Sequence, residues 1–472
     1  MGLHKVAKDM VIAIVSQGLS TAVSILMSLI VPKVLGVTEY GYWQLFIFYF
    51  SYIGFFHFGL NDGVYLTHGG LTRDELDKRN INSQFVFGLA LEAMFAVAIV
   101  VIGLAAPFES ARRFVIVAVA FAMIVYNASC YLGYVFQAVN ETALFSYSAV
   151  WETVIFAVAL VALLLLRVAQ FEPYVVAYAA SRCGRLAYCC IKGRDILGAG
   201  LLPVSEAIAE SCKSIRVGIN LMVANIASGL ILGIVRFFVD ANWGIEVFSV
   251  VSFSLSLATF FLTFLSQVSM VLFPNLKRLD EKRCSSVFAI MRDALDLLLP
   301  CIYVLYTPIV LILMVWLPEY AKGIALFSTL FPICAFEAKM DLVGTTFFKI
   351  LRKEKELLAL NAAAVVTSLA CTLVGAYILQ SVQVVLVCAV VILGLRSYIA
   401  DVWVTRTLSA DPSILGVASI LVSVIFIVVA QFTDYALTSI IFIPVYLIYL
   451  IVYRKRLTAV AHSLSSLKGV AS

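Results

Sequence analysis

Charged residues are scarce in this sequence. Only 13% of its 472 residues are Asp, Glu, Lys or Arg, whereas 63% are hydrophobic, and the mean hydropathy is +1.03. Soluble globular proteins carry about 25% charged and about 45–50% apolar residues. So few charged residues cannot form a hydrated surface around a chain of this length. The composition therefore predicts a membrane protein, whose apolar surface contacts lipid.

Motifs for metal binding and for nucleotide hydrolysis are also missing. The ten cysteines include no paired C-x-x-C motifs, so they predict neither a zinc site nor a disulfide framework. No G-x-x-x-x-G-K-[ST] motif occurs, which argues against transport driven by nucleotide hydrolysis. We expect a chain that needs no metal, cofactor or nucleic acid, and we further expect a monomer.

Long apolar runs fill most of the sequence. A helix needs about 20 apolar residues to cross the hydrocarbon core of a bilayer. The runs are continuous and not alternating, which excludes a transmembrane β-barrel. The predicted fold is therefore all-α: a polytopic membrane protein with about fourteen transmembrane helices. The predicted spans are residues 11–31, 43–66, 83–106, 114–136, 147–169, 172–191, 215–238, 247–273, 293–317, 322–348, 357–380, 382–407, 413–430 and 435–453.

The basic residues predict the orientation of these spans. Of the 33 lysines and arginines, 23 fall on the side of the N-terminus, five on the opposite side and five within spans. Loops rich in Lys and Arg stay in the cytoplasm. We therefore expect a multi-pass protein of the cytoplasmic membrane with both termini in the cytoplasm.

A weak internal repeat divides the chain into halves. The first span leads through Leu35-Gly36 and Tyr40 into an aromatic-rich second span. The seventh span leads through Arg236 and Gly244 into an eighth span of similar character. Six spans separate the two copies, so both enter the membrane in the same direction. Repeated halves are common in transporters, whose substrate sites lie near the bilayer midplane.

Three segments, residues 29–66, 215–250 and 331–355, carry a recognisable pattern of glycines with single proline, aromatic and charged residues. Its members are Pro32, Leu35, Gly36, Tyr40, Gly41, Gly59, Leu60, Asp62, Gly63, Gly218, Asn225, Arg236 and Gly244. The first segment resembles the opening of the prokaryotic polysaccharide or O-antigen flippases, the second resembles the start of that family's second half, and the third resembles its tenth span with the following basic loop. This family belongs to the multidrug, oligosaccharidyl-lipid and polysaccharide exporter superfamily.

The resemblance implies both an architecture and a cargo. The architecture is two pseudo-repeated six-helix bundles, MATE-like, around a central cavity, followed by two extra C-terminal helices. We accordingly expect an N-terminal bundle over residues 1–196, a C-terminal bundle over 197–407, and the extra helices with a cytoplasmic tail over 408–472. The implied cargo is an oligosaccharide linked to undecaprenyl pyrophosphate, carried by alternating access.

Basic residues inside the spans are the candidates for substrate binding. Arg182 and Arg185 are three residues apart and share one face of the sixth predicted helix. They would bind a pyrophosphate well, or both would reach to the cytoplasmic interface. Arg236, near the external end of the seventh helix, either reaches outward or faces the cavity, and the resemblance favours the cavity. With Lys339, these four residues are the predicted substrate-binding set.

Acidic residues inside the spans are the candidates for ion coupling. Glu92 is a lone acid near the middle of the third span, a position typical of proton or sodium carriers, or else a protonated group bonded to a neighbouring helix. Glu337 and Asp341 are four residues apart and share a helix face. They would take up a proton, bind a cation, or pair with Arg396 in a structural network. Glu92, Glu337 and Asp341 are the predicted coupling residues for H+ or Na+.

Two functions are compatible with a chain of this kind, and a third is disfavoured. The leading hypothesis is a flippase that moves a lipid-linked glycan to the outer leaflet for surface polysaccharide or lipopolysaccharide biosynthesis. A cation-coupled multidrug exporter of the same architecture is the alternative, which the intramembrane arginines disfavour. A glycan polymerase or ligase would need a long external loop with catalytic groups. All predicted external loops are short, so we expect no enzyme.

Overall fold

Helices joined by short connections make up most of residues 18–276 and 281–468, which are the residues that the computed structural model describes, and these residues contain no strand. Ten helices in these ranges are long and apolar enough to cross a membrane, or eleven if the bent pair Pro318–Leu330 and Ile333–Ile350 is one span. The prediction of an all-α polytopic membrane protein is therefore confirmed. The total of about fourteen spans stays a prediction.

Part of the predicted topology lies outside the described residues. This is true of positions 11–17 in the first predicted span, of Lys5, Lys8, Lys277 and Arg278, and of the side chains of Asn225 and Lys468. The cytoplasmic placement of both termini accordingly stays a prediction.

The chain forms two compact units, and the boundary between them lies between Ile226 and Ala227. The division does not test the predicted bundle boundaries after residues 196 and 407. A 3-10 turn at Ile53–His57 separates the first two helices of the first unit. The helices of this unit are α1 (Val31–Phe50), α2 (Leu60–His68), α3 (Lys78–Ala105), α4 (Ser110–Ala138), α5 (Thr142–Leu165), α6 (Glu172–Lys192) and α7 (Arg194–Leu197).

A long helix, α8 (Val204–Leu276), begins in the first unit and ends in the second. It contains both the seventh and the eighth predicted spans. The second unit also has short π-helical segments at Met340–Thr345 and Val374–Ile378. Its other α-helices are α9 (Glu281–Leu298), α10 (Tyr306–Trp316), α11 (Ala321–Leu330), α12 (Ile333–Lys339), α13 (Thr346–Ile350), α14 (Glu354–Leu373), α15 (Val382–Thr407), α16 (Leu415–Phe432), α17 (Tyr435–Val452) and α18 (Arg454–Lys468).

One glycine interrupts α1 and one interrupts α8. Gly36 has φ 72° and ψ 178°, and Gly244 has φ 78° and ψ −178°. This backbone region is open almost only to glycine. Four residues after each glycine stands a fully buried aromatic residue, Tyr40 or Phe248. The same break therefore occurs in both copies of the predicted repeat, which supports the repeat.

A close backbone contact joins α2 to the first part of α8. A Cβ atom at Gly63 would lie 1.9 Å from the carbonyl oxygen of Ser214, and one at Gly218 would lie 2.0 Å from that of Gly59. Any side chain at these positions would push the two helices apart, and small residues are what permits such contacts in membranes. The contact brings together glycines from two separate motifs of the sequence.

Aromatic side chains form the core of the first unit. Trp43, Phe46 and Phe50 line one side of α1, and all three are buried. Tyr178 of α6 meets each of these rings edge-on, with ring centroids 5.8, 5.6 and 5.1 Å away. Edge-to-face pairs add about 0.5–1.5 kcal/mol each beyond the area that they bury. This packing holds α6 against α1 and so fixes where the α6 arginines lie.

Ion pairs join the polar segments that connect the helices of the first unit. Arg73, between α2 and α3, contacts Glu141 at 2.5 Å and Asp195 at 2.6 Å, and Lys78 contacts Asp195 at 2.8 Å. The hydrogen bonds from Arg73 and Lys78 hold the pKa of Asp195 well below its ordinary value. Arg79 donates to the carbonyl oxygen of Leu201 at 2.7 Å. The connection from α6 to α8 is therefore bound to α3.

The break at Gly244 predicts a specific sensitivity to substitution. A Cβ at this position meets nothing within 4 Å, so Gly244→Ala adds backbone strain without a steric clash. We expect the variant to lose about 1–3 kcal/mol of stability, measured by thermal unfolding of the purified protein in detergent.

Gly229→Ala is the matched control for this substitution. It lies in the same helix, and its added Cβ also meets nothing within 4 Å. Its backbone is helical, so alanine should leave stability unchanged or raise it by up to about 1 kcal/mol. Equal unfolding temperatures for the two variants would contradict the strain argument.

Candidate functional site

Two arginines of α6 share a single carboxylate in the first unit. Arg185 Nη1 lies 2.9 Å from Oε2 of Glu152, on α5, and Arg182 Nη1 contacts the other oxygen, Oε1. The side chains of Arg182, Arg185 and Glu152 are 10%, 6% and 13% exposed. With two positive charges and one negative charge, the cluster carries a formal charge of +1. We call these three residues the arginine cluster.

Aromatic rings surround the arginine cluster. The Arg182 guanidinium carbon lies 3.9 Å from the ring centroid of Tyr178, and 5.5 and 5.6 Å from those of Phe50 and Tyr126. Arg185 lies 5.5 Å from the Tyr126 centroid. Cation–π attraction partly compensates for the hydration free energy that these guanidinium groups lose on burial. The Nε–H groups of both arginines are buried without a hydrogen-bond partner among the described residues, which leaves two donors directed at no acceptor.

A cavity of about 270 Å³ lies beside the arginine cluster, still within the first unit. Phe50 and Tyr126, which contact the arginines, also line this cavity. Three of its polar lining residues, His57, Asn61 and Asp62, lie at the break between α1 and α2. We call this space the α2–α4 cavity, because α4 supplies the opposite wall. Its other lining residues are Ser51, Ile53, Gly54, Asn127, Cys130, Tyr134, Met222 and Ile226.

Glu92 lies next to this cavity. It is 3% exposed on α3 and lines a small void together with Asn61 and Asn127, both of which also line the α2–α4 cavity. Glu92 interacts with the Asn127 side chain, but its Oε2 atom has no hydrogen-bond partner in the described part of the chain. The predicted coupling acid is thus placed in contact with polar residues that reach the cavity.

The second unit contains a separate buried charge cluster. Lys339 Nζ lies 2.6 Å from Oδ1 of Asp296, on α9, and also contacts Asp401, on α15. The side chains of the three residues are 7%, 1% and 7% exposed. We call them the lysine cluster, and its formal charge is −1. Lys339, predicted to bind substrate, is therefore occupied by two carboxylates in this structure.

The predicted coupling pair Glu337 and Asp341 separates into two environments. Nη2 of Arg396 lies 2.7 Å from both carboxylate oxygens of Glu337. The pairing with Arg396 is one of the alternatives that the sequence left open. Asp341 is exposed, at the start of the π-helical segment Met340–Thr345. Roles for both acids in coupling stay predictions.

Arg236 lies in the second unit, on α8. It donates from Nε to the Ser252 hydroxyl at 3.2 Å, and its guanidinium carbon lies 5.2 Å from the Phe248 ring centroid. Phe248 and Ser252 follow the break at Gly244 within α8. Among the predicted substrate-binding residues, the structure thus groups Arg182 with Arg185 and places Arg236 and Lys339 in other surroundings.

Sequence reasoning did not identify the acidic partners of Arg182, Arg185 and Lys339, although it gave the pairing with Arg396 as an alternative for Glu337 and Asp341. Glu152, Asp296 and His57 were not among the predicted site residues, and Asp62 was named only as part of the resemblance. A lone charge in an apolar run signals that a partner exists, but it does not identify the helix that supplies it. Among the described residues, no group of three or more His, Cys, Asp or Glu side chains could hold a metal ion.

Comparison with known proteins gives matches by structure alone. No family model matches the sequence, and no curated protein matches it. The chain is similar to a multidrug resistance MATE family transporter of the MOP superfamily in its inward-facing conformation, with a TM-score of 0.62 and 12% identity over 82% of this chain and 94% of the other.

Two further solved structures share the fold. Lipid II flippase MurJ, in an inward closed conformation, matches with a TM-score of 0.57 and 12% identity over 94% of this chain and 98% of the other. MATE in a straight conformation matches with a TM-score of 0.53 and 12% identity over 84% and 93% of the two chains. The expected MATE-like fold is therefore confirmed, and the chain has the fold of MOP-superfamily transporters.

The lysine cluster predicts the effect of removing its cation. Lys339→Met would leave two buried carboxylates without the ammonium group that both of them contact, and breaking a buried ion pair in this way costs about 3–5 kcal/mol. We expect a markedly lower unfolding temperature in detergent. Adding Asp401→Asn should restore part of the loss, because it removes one of the uncompensated charges.

Lys322→Met is the matched control, because Lys322 is exposed and makes no ion pair among the described residues. This variant should unfold like the wild type. A Lys339→Met protein as stable as the control would show that the cluster contributes nothing to the fold.

Proposed function

We propose that this chain is a carrier that moves an undecaprenyl-pyrophosphate-linked oligosaccharide across the cytoplasmic membrane. It acts by alternating access, as a monomer with both termini in the cytoplasm, and it is not an enzyme. Its product would serve surface polysaccharide biosynthesis, such as that of O-antigen in lipopolysaccharide. The fold supports a transporter, and the arginine cluster favours an anionic lipid as cargo.

The observation that carries this proposal is the uneven pairing in the arginine cluster. Glu152 contacts Nη1 of Arg182 and Nη1 of Arg185, while the Nε–H groups of both arginines have no acceptor among the described residues. Buried donors without acceptors are costly, and those of charged groups most of all. A pyrophosphate has oxygen acceptors for both groups and the negative charge to neutralise the cluster.

Binding can be described as an exchange of anions. The empty cluster holds Glu152 between the two arginines. An arriving pyrophosphate would share the guanidinium groups with Glu152 or displace it, and the aromatic rings around them keep competing water out. Low-dielectric surroundings strengthen each of these contacts. The ion pair between Glu152 and the two arginines therefore stabilises the empty protein. Because Glu152 competes with the cargo for the same guanidinium groups, it also helps the cargo to leave.

Glu92 is the proposed site of ion coupling. It is the most secluded of the three predicted acids, and no basic side chain pairs with it in the described residues. A proton or Na+ would neutralise it. Asn61 and Asn127 connect its surroundings to the α2–α4 cavity, which gives a physical route from ion binding to cargo binding.

The second candidate is a cation-coupled multidrug exporter. The observation that favours it is the α2–α4 cavity, where the carboxylate of Asp62 lies among aromatic rings, a combination suited to organic cations. A multidrug transporter also shares the fold. Transport of a cationic dye by reconstituted protein, without transport of the lipid-linked glycan, would favour this candidate.

Substitution in the arginine cluster tests the flippase. Arg185→Gln keeps a neutral hydrogen-bonding side chain, and Arg182 still neutralises Glu152, so the fold should persist. We expect translocation of a lipid-linked oligosaccharide in proteoliposomes to fall at least about tenfold, since a charge-assisted hydrogen bond is worth about 1.5–3 kcal/mol.

Arg167→Gln is the matched control for this experiment. Arg167 is exposed beyond the end of α5 and makes no ion pair among the described residues. The control should transport at the wild-type rate. If Arg185→Gln folds normally and transports as fast as the control, the arginine cluster does not handle the cargo.

Removal of the Glu92 charge tests the coupling. Wild-type transport should be faster with a pH gradient across the vesicle than without it, if the ion is a proton. Glu92→Gln cannot change its protonation state, so its rate should be the same under both conditions. Equal wild-type rates with and without the gradient, and with and without a Na+ gradient, would rule out coupling by either ion.

A further inference from the structure

The α2–α4 cavity is lined by hydrogen-bonding groups of both kinds. Two consecutive left-handed residues, Phe58 with φ 50° and Gly59 with φ 83°, form the break between α1 and α2. This geometry directs the Gly59 N–H at Nδ1 of His57, at 3.0 Å. Because Nδ1 accepts this bond, the neutral ring carries its hydrogen on Nε2. His57 therefore offers the cavity a fixed N–H donor.

Asn61 and Asp62 supply the acceptors. Asn61 donates from Nδ2 to the carbonyl oxygen of Asn127 at 3.2 Å, which leaves its Oδ1 as an acceptor. Asp62 stands in the first turn of α2, where the helix dipole favours a carboxylate. No basic side chain forms an ion pair with Asp62 among the described residues. Its carboxylate oxygens can therefore accept hydrogen bonds from a ligand in the cavity.

Aromatic rings complete the lining, and they connect the cavity to the arginine cluster. Phe50, Tyr126 and Tyr134 supply apolar faces, and the two tyrosines add hydroxyl groups. The Tyr126 ring centroid lies 5.6 Å from the guanidinium carbon of Arg182 and 5.5 Å from that of Arg185. A group bound in the cavity would thus be separated from the arginines by about one aromatic ring.

The size of the cavity limits its ligand. Sites for drug-sized molecules occupy about 300–1,000 Å³, and this cavity, at about 270 Å³, is slightly smaller. This volume suits one six-membered ring. A pyranose sugar matches the lining, because its hydroxyl groups both donate and accept while its C–H faces pack on aromatic rings.

We infer that the α2–α4 cavity is a subsite for a single sugar ring, the one attached to the pyrophosphate of the cargo. Asp62 and Asn61 accept from its hydroxyl groups, His57 donates to them, and Tyr126 or Tyr134 covers a ring face. This inference rests on the proposed function, since the arginine cluster holds the pyrophosphate next to the subsite. The carrier would therefore contact the first sugar as well as the lipid pyrophosphate.

An equilibrium binding experiment tests this subsite. The full-length protein in lipid nanodiscs is titrated with undecaprenyl pyrophosphate, and separately with undecaprenyl pyrophosphate bearing one N-acetylhexosamine, with native mass spectrometry as the readout. We expect the glycosylated lipid to bind about tenfold more tightly to the wild type. Asp62→Asn should reduce the ratio of the two affinities, glycosylated over unglycosylated lipid, to nearly one. The reason is that hydrogen bonds to a charged group are worth about tenfold or more in affinity.

Two further variants keep the test decisive. Asp74→Asn makes the same chemical change at an exposed residue between α2 and α3, and it should keep the wild-type ratio. Tyr134→Phe removes one hydroxyl group and should lower the ratio about two- to fivefold. It provides the measurement if Asp62→Asn does not fold.

The outcomes separate the inference from the proposed function. Equal wild-type affinities for the two lipids, or an Asp62→Asn ratio equal to that of Asp74→Asn, would overturn the sugar subsite and leave the proposed function standing. Failure of both lipids to bind would overturn the proposed function and the subsite with it.

Discussion

Charge that is buried among membrane-spanning helices has to be neutralised by nearby groups, and this requirement shapes both units of the protein. An unpaired charge at the bilayer centre costs at least about 2.5–3.5 kcal/mol. In the first unit, Glu152 neutralises one of the two arginines of α6. In the second, Lys339 neutralises one of two aspartates, and Arg396 pairs with Glu337. These contacts join α5 to α6 in the first unit, and α9, α12 and α15 in the second.

The pairing is incomplete in both clusters, and this incompleteness connects the fold to a function. A purely structural network would be expected to balance its charges and to satisfy all its donors. The arginine cluster instead keeps one positive charge and two unsatisfied N–H groups beside a cavity. The aromatic core of α1 and α6 holds these groups in place without satisfying them. An anionic ligand would supply a negative charge and acceptors for these two N–H groups.

Much of the fold could be predicted from the sequence, because its determinants are local. Apolar runs predicted the helices, and single charges such as Glu92, Arg182 and Arg185 stood out against them. Gly36 and Gly244 were visible within the repeat, although their shared backbone conformation was not. The pairings were not predictable, because Glu152 and Asp296 approach their partners only when distant helices pack. The α2–α4 cavity was missed for the same reason, because Asp62 and His57 line a cavity only where α4 supplies the opposite wall.

The net charge of the arginine cluster has an electrical consequence. A charge held at membrane depth interacts with the transmembrane voltage, by up to about 2.3 kcal/mol per elementary charge for each 100 mV across the full field. An anion that binds to this cluster changes its charge, so the empty and the occupied protein respond differently to the same voltage. The membrane potential would then favour one of the two forms.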